Sequence, residues 1–159
     1  MIIIGDDLSG IQELKDFLSQ QFEMKDLGHL SYFLDLEITH SKNSLYITQA
    51  KYASKFLSRA GLIDSKIVDT PVEFNVHLTP SGEKPLYNPS LYGRLVGSLV
   101  YLTVTRPNIS YAVHQVSQYL SAPQSTHYAA VLRILRYLKG TLPWSFLLCS
   151  VSSCSLCIF

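Results

Sequence analysis

Apolar residues recur along this chain with two different periods, and each change of period marks a change of structure. Met1-Ile2-Ile3-Ile4 is a β-branched run closed by Gly5 and reads as a buried strand with no preceding partner. Ile11, Leu14, Phe17, Leu18 and Phe22 then recur at helical spacing. With Ser9 and Gln12 as a capping box, they predict an amphipathic helix from about Ser9 to Glu23. Apolar and polar residues alternate from Leu34 to Ile38, and the pattern resumes at Ser44 to Thr48 after the turn-like Ser41-Lys42-Asn43, which predicts a hairpin. A second helix, from about Gln49 to Ala60, places Tyr52, Phe56 and Leu57 on one face and Lys51, Lys55 and Arg59 on another, and stops at Gly61.

From Asp64 to Tyr87 the composition shifts to Pro, Ser, Thr, Asn and Lys. Three X-Pro pairs there disfavour helix, so this stretch is expected to be an extended connector. Asn88-Pro89 is a cap and first-turn pair for a helix carrying Leu91, Leu95, Val96, Leu99 and Leu102, although its Val, Tyr and Thr content leaves a strand open. Asn108 is positioned to cap a helix with Ile109, Ala112, Val113, Val116, Tyr119 and Leu120 on its stripe. A further helix from about Thr126 to Lys139 turns Val131, Leu132, Leu135 and Leu138 inward and stops at Gly140. Three helices with short connections suggest a small bundle. The fold class is therefore α+β.

Charge sharpens the division. Residues 1–83 hold seven Lys/Arg against twelve Asp/Glu, a balance of −5, whereas residues 84–159 hold six basic residues and no acidic one. A half without carboxylates suits a surface facing phosphates, because its cations can replace condensed counterions without competition. An apolar helical region that simply carries few charges would look the same. The three cysteines, Cys149, Cys154 and Cys157, crowd the last eleven residues and are odd in number, unlike a secreted disulfide framework. There is no N-terminal signal peptide with a basic leader, and the apolar run from Leu95 to Val104 lies between Arg94 and Arg106, too short to span a membrane. The expectation is an intracellular chain, cytoplasmic or nuclear, that is not secreted and has no membrane partner.

Candidate chemistry adds little on its own. Gly5-Asp6-Asp7 invites a two-metal reading, because paired carboxylates hold the ions of phosphoryl transfer, but its place between a strand and a helix start favours a polar turn. Arg133, Arg136 and Lys139 stand three apart and share one broad helix face that could track a nucleic-acid backbone; an ordinary solvated face reads alike. Tyr101, Tyr111, Tyr119, Tyr128 and Tyr137 could stack on bases, yet as core residues with hydroxyls at the surface they need no ligand. His114 and His127 lack partners at ligand spacing, and the Cys154-Ser155-Leu156-Cys157 pair with Cys149 falls short of four zinc ligands. No metal site is expected.

Several segments together resemble the pol region of copia-type retrotransposons. They are Met24-Lys25-Asp26-Leu27-Gly28, Tyr32-Phe33-Leu34, Gln49-Ala50-Lys51-Tyr52-Ala53, the run from Leu95 to Thr103, Thr105-Arg106-Pro107, Ile109-Ser110-Tyr111-Ala112-Val113 and Arg136-Tyr137-Leu138-Lys139-Gly140-Thr141. The resemblance is colinear over residues 1–142. It implies a reverse transcriptase, an RNA-directed DNA polymerase that uses magnesium, within a Gag-Pol polyprotein. In that family the catalytic Tyr-Val-Asp-Asp lies immediately before the segment that Met1 to Asp7 resembles, and a third aspartate lies further upstream. The implied reading is a truncated fragment with no catalytic residues, inactive alone and holding no cofactor.

Under the same resemblance, residues 1–63 are a remnant of the polymerase palm with a primer-grip-like hairpin, 64–87 a connector, and 88–142 a thumb-like helical bundle. The implied partners are an RNA/DNA template–primer duplex and other parts of the retroelement polyprotein. The residues expected to meet nucleic acid are Tyr32, Phe33, Leu34, Asp35, Arg94, Arg106, Arg133, Arg136 and Lys139. The alternatives are a residual nucleic-acid-binding module, or a degenerate product that associates through exposed apolar surface.

Departures from the family pattern fall at three places. Asp35 stands where the family usually has glycine, adding a carboxylate to a hairpin expected to approach phosphate. Gly93 stands for a usual arginine, and Asn108 for a usual aspartate. Family members continue after Gly-Thr-Leu with Phe-His-Gly-Leu and a ribonuclease H domain, whereas this chain reads Leu142-Pro143-Trp144-Ser145-Phe146. A two-base deletion in a family-like coding stretch turns one into the other, so residues 143–159 are expected to be a frameshifted, disordered tail.

Overall fold

The computed structural model describes residues 2–5, 7–23, 30–41, 44–62, 65–73, 78–79, 84–142, 146–150 and 155–158. Helix and strand are mixed, as an α+β chain requires, and the chain divides into two compact units: Met1–Thr48 with Leu147–Phe159, and Gln49–Phe146.

In the first unit, β1 (Ile2–Gly5) leads into α1 (Leu8–Gln21). The cap is Asp7 rather than Ser9: its Oδ1 accepts the backbone N–H of Ser9 at 3.0 Å and of Gly10 at 3.1 Å. A carboxylate suits this end of a helix, where free N–H groups and the helix dipole both favour negative charge. Of α1's apolar stripe, Ile11 is buried, while Leu8, Leu14 and Phe17 are exposed, as is Phe22 at the C-cap.

β2 (Tyr32–Phe33) and β3 (Leu36–Ser41) are joined by the two residues Leu34 and Asp35, with φ of 46° and 60°. Two positive φ values between strands in Phe33↔Leu36 register are the mark of a type I′ turn. Neither residue is glycine or asparagine, so the turn carries no signal in the sequence. β4 (Ser44–Thr48) pairs antiparallel with β3 from Glu37↔Thr48 to Ser41↔Ser44, the hairpin expected from the alternation. Most of its Ser41-Lys42-Asn43 turn lies outside the described residues. Leu30 and Ile38 are buried beneath it with Phe33 and Ile47 packed against them.

The expected disordered tail is replaced, where described, by two strands, β5 (Phe146–Ser150) and β6 (Ser155–Ile158). β6 pairs antiparallel with β1, from Ile2↔Ile158 to Gly5↔Ser155, and β5 follows β4 in the order of the other sheet. Apolar segments fit the open edges of short sheets, and β6 pairs with β1 in this way.

The second unit is helical. α2 (Ala50–Arg59), α3 (Pro89–Leu102), a 3-10 turn at Pro107–Ile109, α4 (Ser110–Ser117) and α5 (Ser125–Gly140) surround one apolar core. Ala53, Phe56 and Leu57 of α2 belong to that core, so α2 joins the three expected helices as a fourth, and the boundary falls at Gln49 rather than near residue 63. Leu99, Leu102 and Leu135 are fully buried, each contributing roughly 1.5–3 kcal/mol by leaving water. Ile134 is fully buried where Leu132 was expected, and Leu132 only packs against the core's edge.

Asn88 caps α3 as expected, its Oδ1 accepting the Leu91 N–H at 3.0 Å, with Pro89 in the first turn. Asn108 does not cap α4. It sits inside the 3-10 turn, and its Nδ2 donates to the Tyr137 hydroxyl at 2.6 Å.

Where it is described, the connector is tied to the helices. Leu86 N–H donates to the Pro123 carbonyl at 2.9 Å and Ser125 N–H to the Lys84 carbonyl at 3.3 Å, forming a short antiparallel bridge at the start of α5. Tyr119 Oη donates to the Leu78 carbonyl at 2.7 Å. His127, fully buried and stacked on Tyr119 with ring centres 3.8 Å apart, accepts the Gln124 N–H at Nδ1 and faces the Thr79 carbonyl with Nε2 at 3.0 Å. An N–H donor on one ring nitrogen and a carbonyl on the other define the neutral tautomer protonated at Nε2. His127 is thus a structural residue that pins connector to helix.

Candidate nucleic-acid interface

The hairpin tip presents Tyr32 and Leu34 to solvent, with Leu34 67% exposed, while Phe33 turns inward onto Leu30 and Ile38. Tyr32 Oη donates to Asp35 Oδ1 at 2.6 Å. The four expected hairpin residues are therefore together, but the charge they hold is negative. The left-handed backbone at Asp35 explains why a glycine would be favoured at this position.

The five cations divide according to what holds them. Arg94 lies exposed on α3. Arg106 is the opposite: buried to 5% exposure, it donates through one terminal nitrogen to the Thr141 carbonyl and through the other to the Leu142 carbonyl. Burial depresses its pKa from the usual value, partly offset by the nearby Tyr137 hydroxyl. Two charge-assisted bonds to the carbonyls at the end of α5 make it a C-terminal cap. It is buried within the fold and presents no charge at the surface.

Arg133, Arg136 and Lys139 do share one face of α5, and the connector lies along it. Arg133 donates to Thr70 Oγ1 at 3.0 Å and stands 3.8 Å from a Glu73 carboxylate oxygen. Lys139 Nζ donates to the Ser65 carbonyl at 2.7 Å. Arg136 is half-buried and has no hydrogen-bond or ion-pair partner among the described residues. Spacing alone identified the shared face, but it could not reveal that the connector would occupy two of its three cations.

Lys51, Lys55 and Arg59 are exposed along the outer face of α2, a ladder left out of the expected interface. Their i, i+4, i+8 spacing is the signal that could have found them. The tyrosines are mostly structural: Tyr101 packs edge-on against Tyr52 at 5.1 Å, and Tyr119 and Tyr137 are hydrogen-bonded inside the unit, leaving Tyr111 exposed at 66%. Tyr92, not singled out from sequence, is fully buried with its hydroxyl donating to the Val116 carbonyl at 2.6 Å. Burial, reinforced by Tyr119, pushes its pKa up to about 12.

Among the described residues, no three His, Cys, Asp or Glu side chains stand together as metal ligands, and no helix is long and apolar enough to cross a membrane.

Comparison with known proteins supplies the class. Residues 1–74 match the family model described as reverse transcriptase (RNA-dependent DNA polymerase). Residues 1–74 belong to that family, and most of the chain is similar to copia-type retrotransposon Pol polyproteins. It is 38% identical over 141 residues to the retrovirus-related Pol polyprotein from transposon RE2 of Arabidopsis thaliana, covering 89% of this chain and 10% of that protein. It is 39% identical over 150 residues to the corresponding polyprotein from transposon TNT 1-94 of Nicotiana tabacum, covering 89% of this chain and 11% of that one. An uncharacterized mitochondrial protein of Arabidopsis thaliana is 42% identical over 125 residues, which span 79% of this chain and 52% of that protein. The chain thus spans about a tenth of the polyproteins and about half of the mitochondrial relative. No solved structure matches it.

Proposed function

We propose that these 159 residues hold a palm remnant and a thumb-like helical unit that bind a template–primer duplex and carry out no polymerisation by themselves. The observation that carries the reading is a set of exposed cations on the helical unit, Lys51, Lys55 and Arg59 on α2 and Arg94 on α3. Such a surface gains affinity by releasing counterions from the phosphate backbone. The state of Asp7 supports the second half of the proposal. Its carboxylate is engaged by the N–H groups of α1, a role that competes with holding a metal ion. In the whole polyprotein, magnesium chemistry would then come from carboxylates outside these residues.

The test is paired. The purified chain should raise the anisotropy of a labelled RNA–DNA primer duplex in low salt and lose it as salt rises. It should incorporate no nucleotide in a magnesium-containing primer-extension assay. Extension by the purified chain, or the absence of duplex binding in low salt, would overturn the proposal.

A second reading has its own observation. Leu8, Leu14, Phe17 and Phe22 are 66%, 43%, 59% and 61% exposed, an apolar stripe suited to association with other parts of the polyprotein. Salt-independent self-association without duplex binding would favour it.

A further inference from the structure

Arg136 faces a cleft of about 430 Å³ between the connector and helices α4 and α5. Its floor is apolar, built from Ala112 and Val116 of α4 and Ala130 and Ile134 of α5, while Arg133 and Arg136 line it from α5. The volume is that of a small-molecule site, and an apolar floor with a few convergent polar groups is the usual composition of one.

The two arginines are incompletely used. Among the described residues Arg133 makes one hydrogen bond, to Thr70, and its ion pair with Glu73 at 3.8 Å is longer than a hydrogen bond. Its Nε is buried with no acceptor among the described residues. A buried donor without an acceptor is costly enough to call for one. Arg136, three residues further along the same helix, has no partner among the described residues. Two forked guanidinium groups one turn apart match an oxyanion, which each can hold through parallel N–H donors.

We propose that this cleft binds a small amphipathic oxyanion, a carboxylate or phosphate monoester carrying a short apolar body. The head sits between Arg133 and Arg136, and the body lies on the alanine, valine and isoleucine floor. Glu73, 61% exposed at its side chain, competes with the ligand for Arg133. The site is separate from duplex binding by the α2 ladder and Arg94, so its test needs no nucleic acid.

Titration calorimetry on the full chain would use octanoate, octyl phosphate, octanol and inorganic phosphate. The expected result is saturable one-to-one binding of octanoate or octyl phosphate, with octanol and inorganic phosphate each at least about tenfold weaker, because each lacks one half of the recognised chemistry. The tighter of the two anions identifies the natural head group. Arg136→Ala should weaken binding roughly tenfold, the scale of a charge-assisted hydrogen bond, and Glu73→Gln should strengthen it. Ala129→Leu, at an exposed cleft position, should weaken binding while leaving the melting temperature in place. Octanol or inorganic phosphate binding as tightly as the amphipathic anions, indifference to Arg136→Ala, or no saturable binding would each overturn the proposal.

Discussion

The guanidinium of Arg106 closes the end of α5 by donating to the carbonyl of Thr141, thirty-five residues further along the chain. The last turn of any α-helix leaves carbonyls without intrahelical donors, and here a cation is brought to them from the loop before α4. One side chain thereby ties that loop to the far end of α5, and its second bond, to the Leu142 carbonyl at 2.9 Å, holds the residue just beyond the helix in place.

Replacing Arg106 by alanine removes both donors and leaves a cavity. The expected loss is roughly 3 kcal/mol of stability, from orphaned carbonyls and lost packing. Arg106→Lys should recover less than half, since an ammonium cannot present the planar fork that reaches two carbonyls. Urea unfolding of the full chain measures both. A loss below about 1 kcal/mol for the alanine variant would show that the bonds to Thr141 and Leu142 matter little.

Tyr92 makes alkaline pH a probe of the core. Its pKa is pushed up to about 12 by burial, against an ordinary value of 10.0, so the folded chain keeps the phenol proton while the unfolded chain loses it. The stabilisation is therefore complete below pH 10 and is lost as pH rises from there to about 12, a loss of roughly 2–3 kcal/mol for a shift of this size. Melting curves between pH 9 and 12 should fall less steeply for Tyr92→Phe than for the parent chain. Equal slopes would contradict the assignment.

Gly93 sits inside α3, and a Cβ added there meets nothing within 4 Å. Gly93→Ala should therefore raise stability by about 0.5–1 kcal/mol, through helix propensity alone. A decrease would mean that α3 packs more tightly around this position than its geometry indicates.

Asp35 places a carboxylate on the hairpin tip, hydrogen-bonded to Tyr32. Asn at this position tolerates the same left-handed backbone and keeps an acceptor for Tyr32, while removing the charge. If the hairpin approaches a duplex, Asp35→Asn should tighten duplex binding a few-fold, the scale of one unit repulsion in water at contact distance. Unchanged affinity would separate the hairpin from the duplex.

The features legible in the sequence were those written in a period. The stripes of α3 and α5 appear as expected because Leu95, Leu99 and Leu102, or Val131, Leu135 and Leu138, can face one direction only in a helix. The β3–β4 hairpin is legible through strict alternation in the same way. The features that stayed hidden depended on contacts across the chain. The connector has no periodicity, so nothing announced that Thr70, Glu73 and Ser65 would lie on the α5 cations, or that Arg106 would turn inward. The Leu34–Asp35 turn escaped because its chemistry is carried by residues that rarely adopt positive φ. Asp7 and Ser9 are both good caps two positions apart, and spacing alone does not choose between them.

The salt dependence of duplex affinity tests the central claim most directly. With an RNA–DNA template–primer, log affinity should fall linearly with log salt, and each of Lys55→Ala and Arg94→Ala should reduce the slope by roughly one unit. Arg106→Lys, a change at a buried position, should leave the slope as it was. Duplex affinity that ignores salt, or slopes unchanged in the Lys55 and Arg94 variants, would contradict a nucleic-acid role for the helical unit.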